Sequence, residues 1–151
     1  MKALTLTPPW AFCITHLGKR IENRTWKPPQ SLIGQRFAIH GGKVPDGLSR
    51  RQRLFDLLCD IEDEHGITVS RPFSEVLACF GIVATAVLES ATTYSLDPWF
   101  DGSGYGWNLK DVIVLPEPIP CKGALGLWNV PEEIAERLTP PRNPPLSLHT
   151  P

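Results

Sequence analysis

The sequence predicts an α+β domain, a small β-barrel of five to six strands with flanking helices. Three observations lead there. Short segments of alternating apolar and polar residues, bounded by Pro and Gly, recur along the chain. The most apolar run, Val76 to Glu89, is rich in β-branched residues and reads as a long central strand, bent or bulged at Gly81. Helical spacing or helix-opening signals are confined to a few segments, which leaves the strands to close around one apolar core.

Ala3-Leu4-Thr5-Leu6-Thr7 alternates as a first strand. Pro8-Pro9 ends it, and Pro9 to Leu17 suits a short helix with proline in its first turn, closed by Gly18. Residues 19–25 read as a second strand. On it Lys19, Ile21, Asn23 and Thr25 face one way, and Arg20, Glu22, Arg24 and Trp26 the other. Arg36 to His40 alternates again and stops at Gly41-Gly42. Ser49 and Gln52 have capping-box spacing and open a helix whose Leu54, Leu57, Leu58 and Ile61 recur at helical intervals up to Gly66. Arg50, Arg51 and Arg53 lie at the positive end of that helix, where each cation is disfavoured by a few tenths of a kcal/mol. A partner phosphate would relieve this; a plain solvated helix end would tolerate it.

Residues 94–108 combine turn residues with Tyr94, Trp99, Phe100, Tyr105 and Trp107, and read as an aromatic loop. Val112 to Leu115 makes a further strand, and the prolines at 116, 118 and 120 imply an edge or an extended linker. Residues 122–128 lead through a turn into a last short strand. Pro131-Glu132-Glu133 then opens a helix carrying Ile134, Ala135 and Leu138. The expected organisation is one domain over 1–138 and a proline-rich tail over 139–151.

The 151 residues, 42% of them hydrophobic, suffice for one buried core, and no apolar run approaches the roughly 20 residues needed to span a bilayer. The first residues lack a signal-peptide pattern, so the expected setting is cytoplasmic, with no membrane partner. Cys13, Cys59, Cys79 and Cys121 are widely spaced, form no C-x-x-C pair, and read as small core hydrophobes. No cofactor and no metal constellation is implied. A net charge of −1 argues against a protein that grips nucleic acid by bulk charge. The distribution is uneven, however. Residues 1–53 hold ten Lys/Arg against two acids, and residues 54–151 five against fourteen, which hints at a local anion-binding face.

The stretch His16 to Trp26 concentrates charge, an amide and an indole, and core formation does not explain that composition. Glu22 and Arg24 share a strand face and can make a charge-assisted contact suited to a planar polar ligand, or a plain ion pair. Trp10, Trp26 and Trp107 can stack on a base, worth about 1–3 kcal/mol where it occurs, or pack in the core. His40 with Lys43 can supply a general base and an anion contact, or be structural. Lys19 and Asn23 can each bind a ligand or close the fold.

Pro9-Trp10-Ala11, Gly18 to Trp26, Phe37 to Lys43, Tyr105 to Leu109 and Lys122 to Trp128, taken in order, resemble the ASCH domain family of the PUA-like superfamily. The resemblance covers about residues 2–130 and is nearest the small bacterial and phage branch with a P-W-A opening and an E-N-R-x-W core. It implies a PUA-like barrel with a cleft between the first helix and the sheet, where RNA or a modified nucleobase would bind. Lys19, Glu22 and Arg24 keep the spacing of the family's G-x-K-x-x-E-x-R signature, with the glycine shifted to Gly18. In the amidohydrolase branch the motif lysine acts with a threonine and a strand acid. Here Glu22 and an apolar residue near Val83 stand in those places, which counts against that reaction.

Three functions follow. The first is a reader of RNA or a modified nucleobase through Trp10, Lys19, Glu22, Asn23, Arg24, Trp26, Lys43 and Trp107. The second is a hydrolase on RNA or a modified nucleoside, with Lys19, Glu22 and His40 in proton-transfer or nucleophilic roles. The third is a protein-interaction adaptor whose aromatic loop, Trp99 to Trp107, docks a partner.

Overall fold

The computed structural model describes residues 1–44, 46–70 and 72–139. In chain order the elements are β1 (Lys2–Leu6), α1 (Trp10–His16), β2 (Ile21–Arg24), a 3-10 turn (Gln30–Leu32), β3 (Arg36–Gly41), α2 (Leu48–His65), α3 (Phe73–Leu77), β4 (Gly81–Thr92), β5 (Tyr105–Ile119), β6 (Leu127–Asn129) and α4 (Glu132–Leu138). The strands form one mixed sheet in the order β2-β5-β4-β3-β1-β6. β1 runs parallel to β3, and the other pairings are antiparallel. β5, β4 and β3 lie between β2 and β1, yet Arg24 on β2 donates from Nη2 to the Thr5 carbonyl on β1 at 2.9 Å. A flat sheet would hold those groups far apart at about 4.8 Å per strand. The sheet is therefore curled into a half-barrel, and the α+β expectation holds at that level.

Strand alternation divides the apolar residues between two faces. Leu4, Leu6, Phe37, Ile39, Val83, Leu88 and Trp107 fill one core together with Ala11 and Ile14 of α1. Ala3, Ala38, Ile82 and Ile119 face the other way, where Val130 and Leu138 of the α4 region cover them. Phe12 leaves α1 on its far side and meets Leu58 of α2 and Val76 of α3. Thus α1 is held between the sheet and α2.

Several expectations are corrected. Residues 76–80 are not strand: Pro72 opens the short helix α3, and β4 begins only at Gly81. The apolarity there serves to dock Val76 on Phe12 and Leu58, and in sequence it merges with the strand that follows. Gly81 marks the boundary with φ +98, and a Cβ there would collide with the Ile119 carbonyl. Tyr105 to Asn108 are not loop but the first part of β5, paired to both β2 and β4. Beyond them β5 continues through Pro116 and Pro118 because β2 has ended and one edge is open. β5 also advances from Val114 to Ile119 while β4 passes only from Ala84 to Ile82, so the prolines fall in a bulge that needs no ladder hydrogen bonds. The second strand is shorter than expected and starts at Ile21. α2 starts at Leu48 behind Gly47, with no side-chain cap, so Ser49 lies inside the first turn rather than capping it. Of the tail expected over 139–151, residues 140–151 lie outside the described residues.

The cysteine thiols are free. Cys13 is wholly buried, and burial pushes its pKa up to about 12, so it behaves as the small hydrophobe the sequence suggested. Cys79 and Cys121 are half-buried against the core, whereas Cys59 on α2 packs in none of the core clusters. No described helix is long and apolar enough to cross a membrane.

Gly81→Ala is expected to lower the unfolding free energy by about 2 kcal/mol or more, from backbone strain together with the collision at Ile119. Urea denaturation measures it; an unchanged midpoint would contradict the assigned backbone.

Candidate functional site

Gly18, at φ +73, turns the chain out of α1 so that Lys19 returns beneath the helix, its N–H donating to the Cys13 carbonyl at 3.1 Å. Arg20 caps the same helix end, donating from Nη1 to the carbonyls of Ile14 and Lys19 at 2.8 and 2.9 Å. The Lys19 side chain is 1% exposed. Its Nζ donates to the Ile21 carbonyl at 2.5 Å and to Glu22 Oε2 at 3.2 Å, and lies 5.5 Å from the centre of the Trp10 ring. Lys19 and Glu22 were expected on opposite faces. Lys19 precedes the strand, so strict alternation does not apply and its side chain folds back onto Glu22.

Glu22 itself is almost buried. Its Oε1 lies 3.9 Å from Arg24 Nε and, among the described residues, accepts no hydrogen bond. Arg24 Nε is buried without a hydrogen-bond partner, while Nη2 is committed to Thr5. Arg24 thus stands behind Glu22, away from the cleft lining, and fastens β2 to β1.

The Lys19–Glu22 pair forms the floor of a cleft of about 480 Å³ between α1, β2, α2 and residues 98–101. Trp10 forms one wall and Leu57 and Ile61 of α2 another. The rim carries Asp60, Glu64 and His65 from α2 and Asp101 from the loop. Asn23 positions that loop: its Nδ2 donates to the Trp99 carbonyl at 2.9 Å, and its Oδ1 accepts from the Asp101 N–H at 3.1 Å. Trp99 in turn stacks on His65, with ring centres 3.7 Å apart and planes 16° apart. The cleft therefore sets four carboxylates, Glu22, Asp60, Glu64 and Asp101, against one ion-paired lysine and a histidine. It is rich in acceptors and has aromatic walls in Trp10, Trp99 and Phe100. Such a site favours a flat guest that donates hydrogen bonds, and repels phosphate. Its volume falls within the ~300–1,000 Å³ usual for small-molecule pockets.

Of the residues singled out from sequence, Trp10, Lys19, Glu22 and Asn23 meet in this cleft. Trp107 does not: it is wholly buried, set edge-on to Trp26 and donating from Nε1 to the Trp26 carbonyl at 3.3 Å. Trp26 is half-buried and packs on the main core instead. Lys43 borders two other cavities. His40 is buried beside one of those. The Cys121 carbonyl can only accept, so His40 Nε2 carries the proton it donates there at 2.7 Å. Thr5 Oγ1 then gives its hydrogen to Nδ1 at 3.1 Å and accepts from Trp128 Nε1 at 3.0 Å. With both ring nitrogens committed and a different cavity beside it, His40 does not join Lys19 and Glu22. The expected catalytic trio is not assembled.

The aromatic loop is not a free docking surface either, since Trp99 lies on His65 and Trp107 is in the core. Sequence reasoning missed Asp60, Glu64, His65 and Asp101, and gave Trp99 to a docking loop rather than to this cleft. The available signal was the i, i+4 acid pair of Asp60 and Glu64 flanking Ile61, near a helix end that disfavours acids. Among the described residues no group of three His, Cys, Asp or Glu could hold a metal ion. No family model and no curated protein matches the chain.

Lys19→Met leaves the nearly buried Glu22 with only the Arg24 guanidinium, 3.9 Å away, as a partner, and is expected to destabilise the fold by about 3 kcal/mol. Adding Glu22→Gln should restore part of that loss, giving a non-additive cycle in urea denaturation. Additive losses would mean that the pair is not coupled.

Proposed function

We propose that this chain is an ASCH-type, PUA-like domain whose cleft binds an amino-bearing nucleobase, as a free or modified nucleoside or within RNA. The observation that carries the reading is the Glu22 carboxylate, which lines an aromatic-walled cleft beside the fixed Lys19 ammonium and whose Oε1 accepts no hydrogen bond among the described residues. A carboxylate accepts from an exocyclic amino group such as that of cytosine, and Lys19 can offer its remaining N–H to a ring nitrogen or carbonyl. Two further points support it. Two of the three signature residues, Lys19 and Glu22, line one recess between the first helix and the sheet, and the third, Arg24, stands behind them. The curled six-stranded sheet is compatible with a PUA-like barrel.

The acidic rim decides which part of a nucleic acid would enter. Phosphates would meet Asp60, Glu64 and Asp101, whereas a neutral base with outward N–H groups would be welcomed by them. Binding is favoured over turnover, because Lys19 and Glu22 hold each other and His40 is engaged elsewhere.

Calorimetric titration with cytidine and adenosine, against uridine and inosine, tests the reading. At least one amino-bearing nucleoside is expected to bind ten-fold or more tighter than its amino-free counterpart, and Glu22→Gln to remove most of that preference. Absence of nucleoside binding at millimolar concentration, or a preference unchanged in Glu22→Gln, would overturn it.

A further inference from the structure

A second cavity, of about 660 Å³, lies against the other half of the same helix, and its polar lining has the opposite sign. Arg50, Arg53, Leu57, Asp60 and Glu64 recur every three or four residues and form one stripe along α2. Arg50 and Arg53 line the second cavity, Asp60 and Glu64 line the base cleft, and Leu57 borders both. A third cation, Lys43, comes from a separate element, the segment after β3, whose start is fixed by the Gly42 N–H donating to the Leu6 carbonyl at 2.8 Å. Asp46 is the one carboxylate on the lining. Among the described residues Lys43, Arg50 and Arg53 make no ion pair and no side-chain hydrogen bond with it or with any other group.

Folding energetics offers no reason for this arrangement. Arginines near the start of α2 and acids near its end both oppose the helix dipole, and the first turn contains no acid to offset the cations. The charges are placed as a ligand carrying donors at one end and negative charge at the other would require.

We infer that the cavity lined by Lys43, Arg50 and Arg53 is a phosphate site, and that it takes a phosphate covalently joined to the base held in the first cleft. The inference rests on the base-binding reading and extends it from a base to a nucleotide. From Arg53 to Ile61 the helix rises roughly 12 Å at about 1.5 Å per residue, which sets the spacing of the two subsites. Two sources supply a phosphate at that remove: the terminal phosphate of a nucleoside triphosphate, and a flanking phosphodiester of a short strand. The guanidinium forks of Arg50 and Arg53 suit either.

The test compares the tightest-binding nucleoside with its 5′-triphosphate and with a trinucleotide carrying the same base in the centre. Titrations use the full chain at about 50 and 300 mM salt. At least one phosphate-bearing ligand is expected to bind ten-fold or more tighter than the nucleoside, and the ligand that gains identifies the source. The gain should shrink at the higher salt and disappear in Arg50→Ala/Arg53→Ala, whose fold is checked by circular dichroism. Equal affinity of all three ligands, or a gain that survives in the double variant, would overturn the inference. Should the nucleoside itself fail to bind, inorganic pyrophosphate separates the two ideas. Amide NMR shifts at Lys43, Arg50 and Arg53 that vanish in the double variant would uphold the phosphate site while the base reading falls. No shifts would overturn the site as well.

Discussion

Taking an ammonium and a carboxylate out of water costs several kcal/mol for each ion, and Lys19 and Glu22 are both nearly buried. Their mutual contact does not offset that alone. Lys19 is also held by the Ile21 carbonyl and lies near the Trp10 ring, while the Arg24 guanidinium stands behind Glu22. Arg24 then reaches the Thr5 carbonyl, the contact that draws the β2 edge of the curled sheet towards β1. One line of charged groups therefore runs from the floor of the cleft to the closure of the half-barrel. A change at Lys19 or Glu22 alters the recess and the sheet together.

The second organising feature is α2. Its buried residues Leu54, Leu58 and Ile61 dock it beside α1, and its partly covered stripe changes sign along its length. The loop over residues 98–101 completes the cleft because Asn23 binds it at two backbone positions and Trp99 lies on His65. Asn23 thus acts on the site by holding a wall in place. The cleft consequently draws on α1 and β2, on α2 and on the 98–101 loop, three regions far apart in sequence.

Local signals in the sequence were sound where one residue type has one physical meaning. Gly18 and Gly66 end helices at positive φ, Pro131 opens α4, and the alternation in 3–7 and 36–40 marks β1 and β3. They failed where tertiary contacts chose between options that look alike locally. Val76 is as apolar as a strand residue but packs as a helix residue, and Tyr105 to Asn108 look like loop until β2 and β4 flank them. The motif Lys19, Glu22, Asn23 was legible because three of its functional groups lie within five residues. Asp60, Glu64 and Trp99 were not, since only the docking of α2 and the loop brings them to the same recess. Arg24 was misassigned for a related reason. Its strand face was read correctly, but nothing local reveals the Thr5 carbonyl waiting across the curled sheet.

A crystal structure of the protein soaked with the tightest-binding amino-bearing nucleoside would fix where the ligand's donor group sits. The base is expected between Trp10 and α2, its amino group within hydrogen-bond distance of the Glu22 carboxylate and the Lys19–Glu22 contact intact. A base bound elsewhere, or one seated in the cleft with its amino group turned away from Glu22, would contradict the base-binding reading.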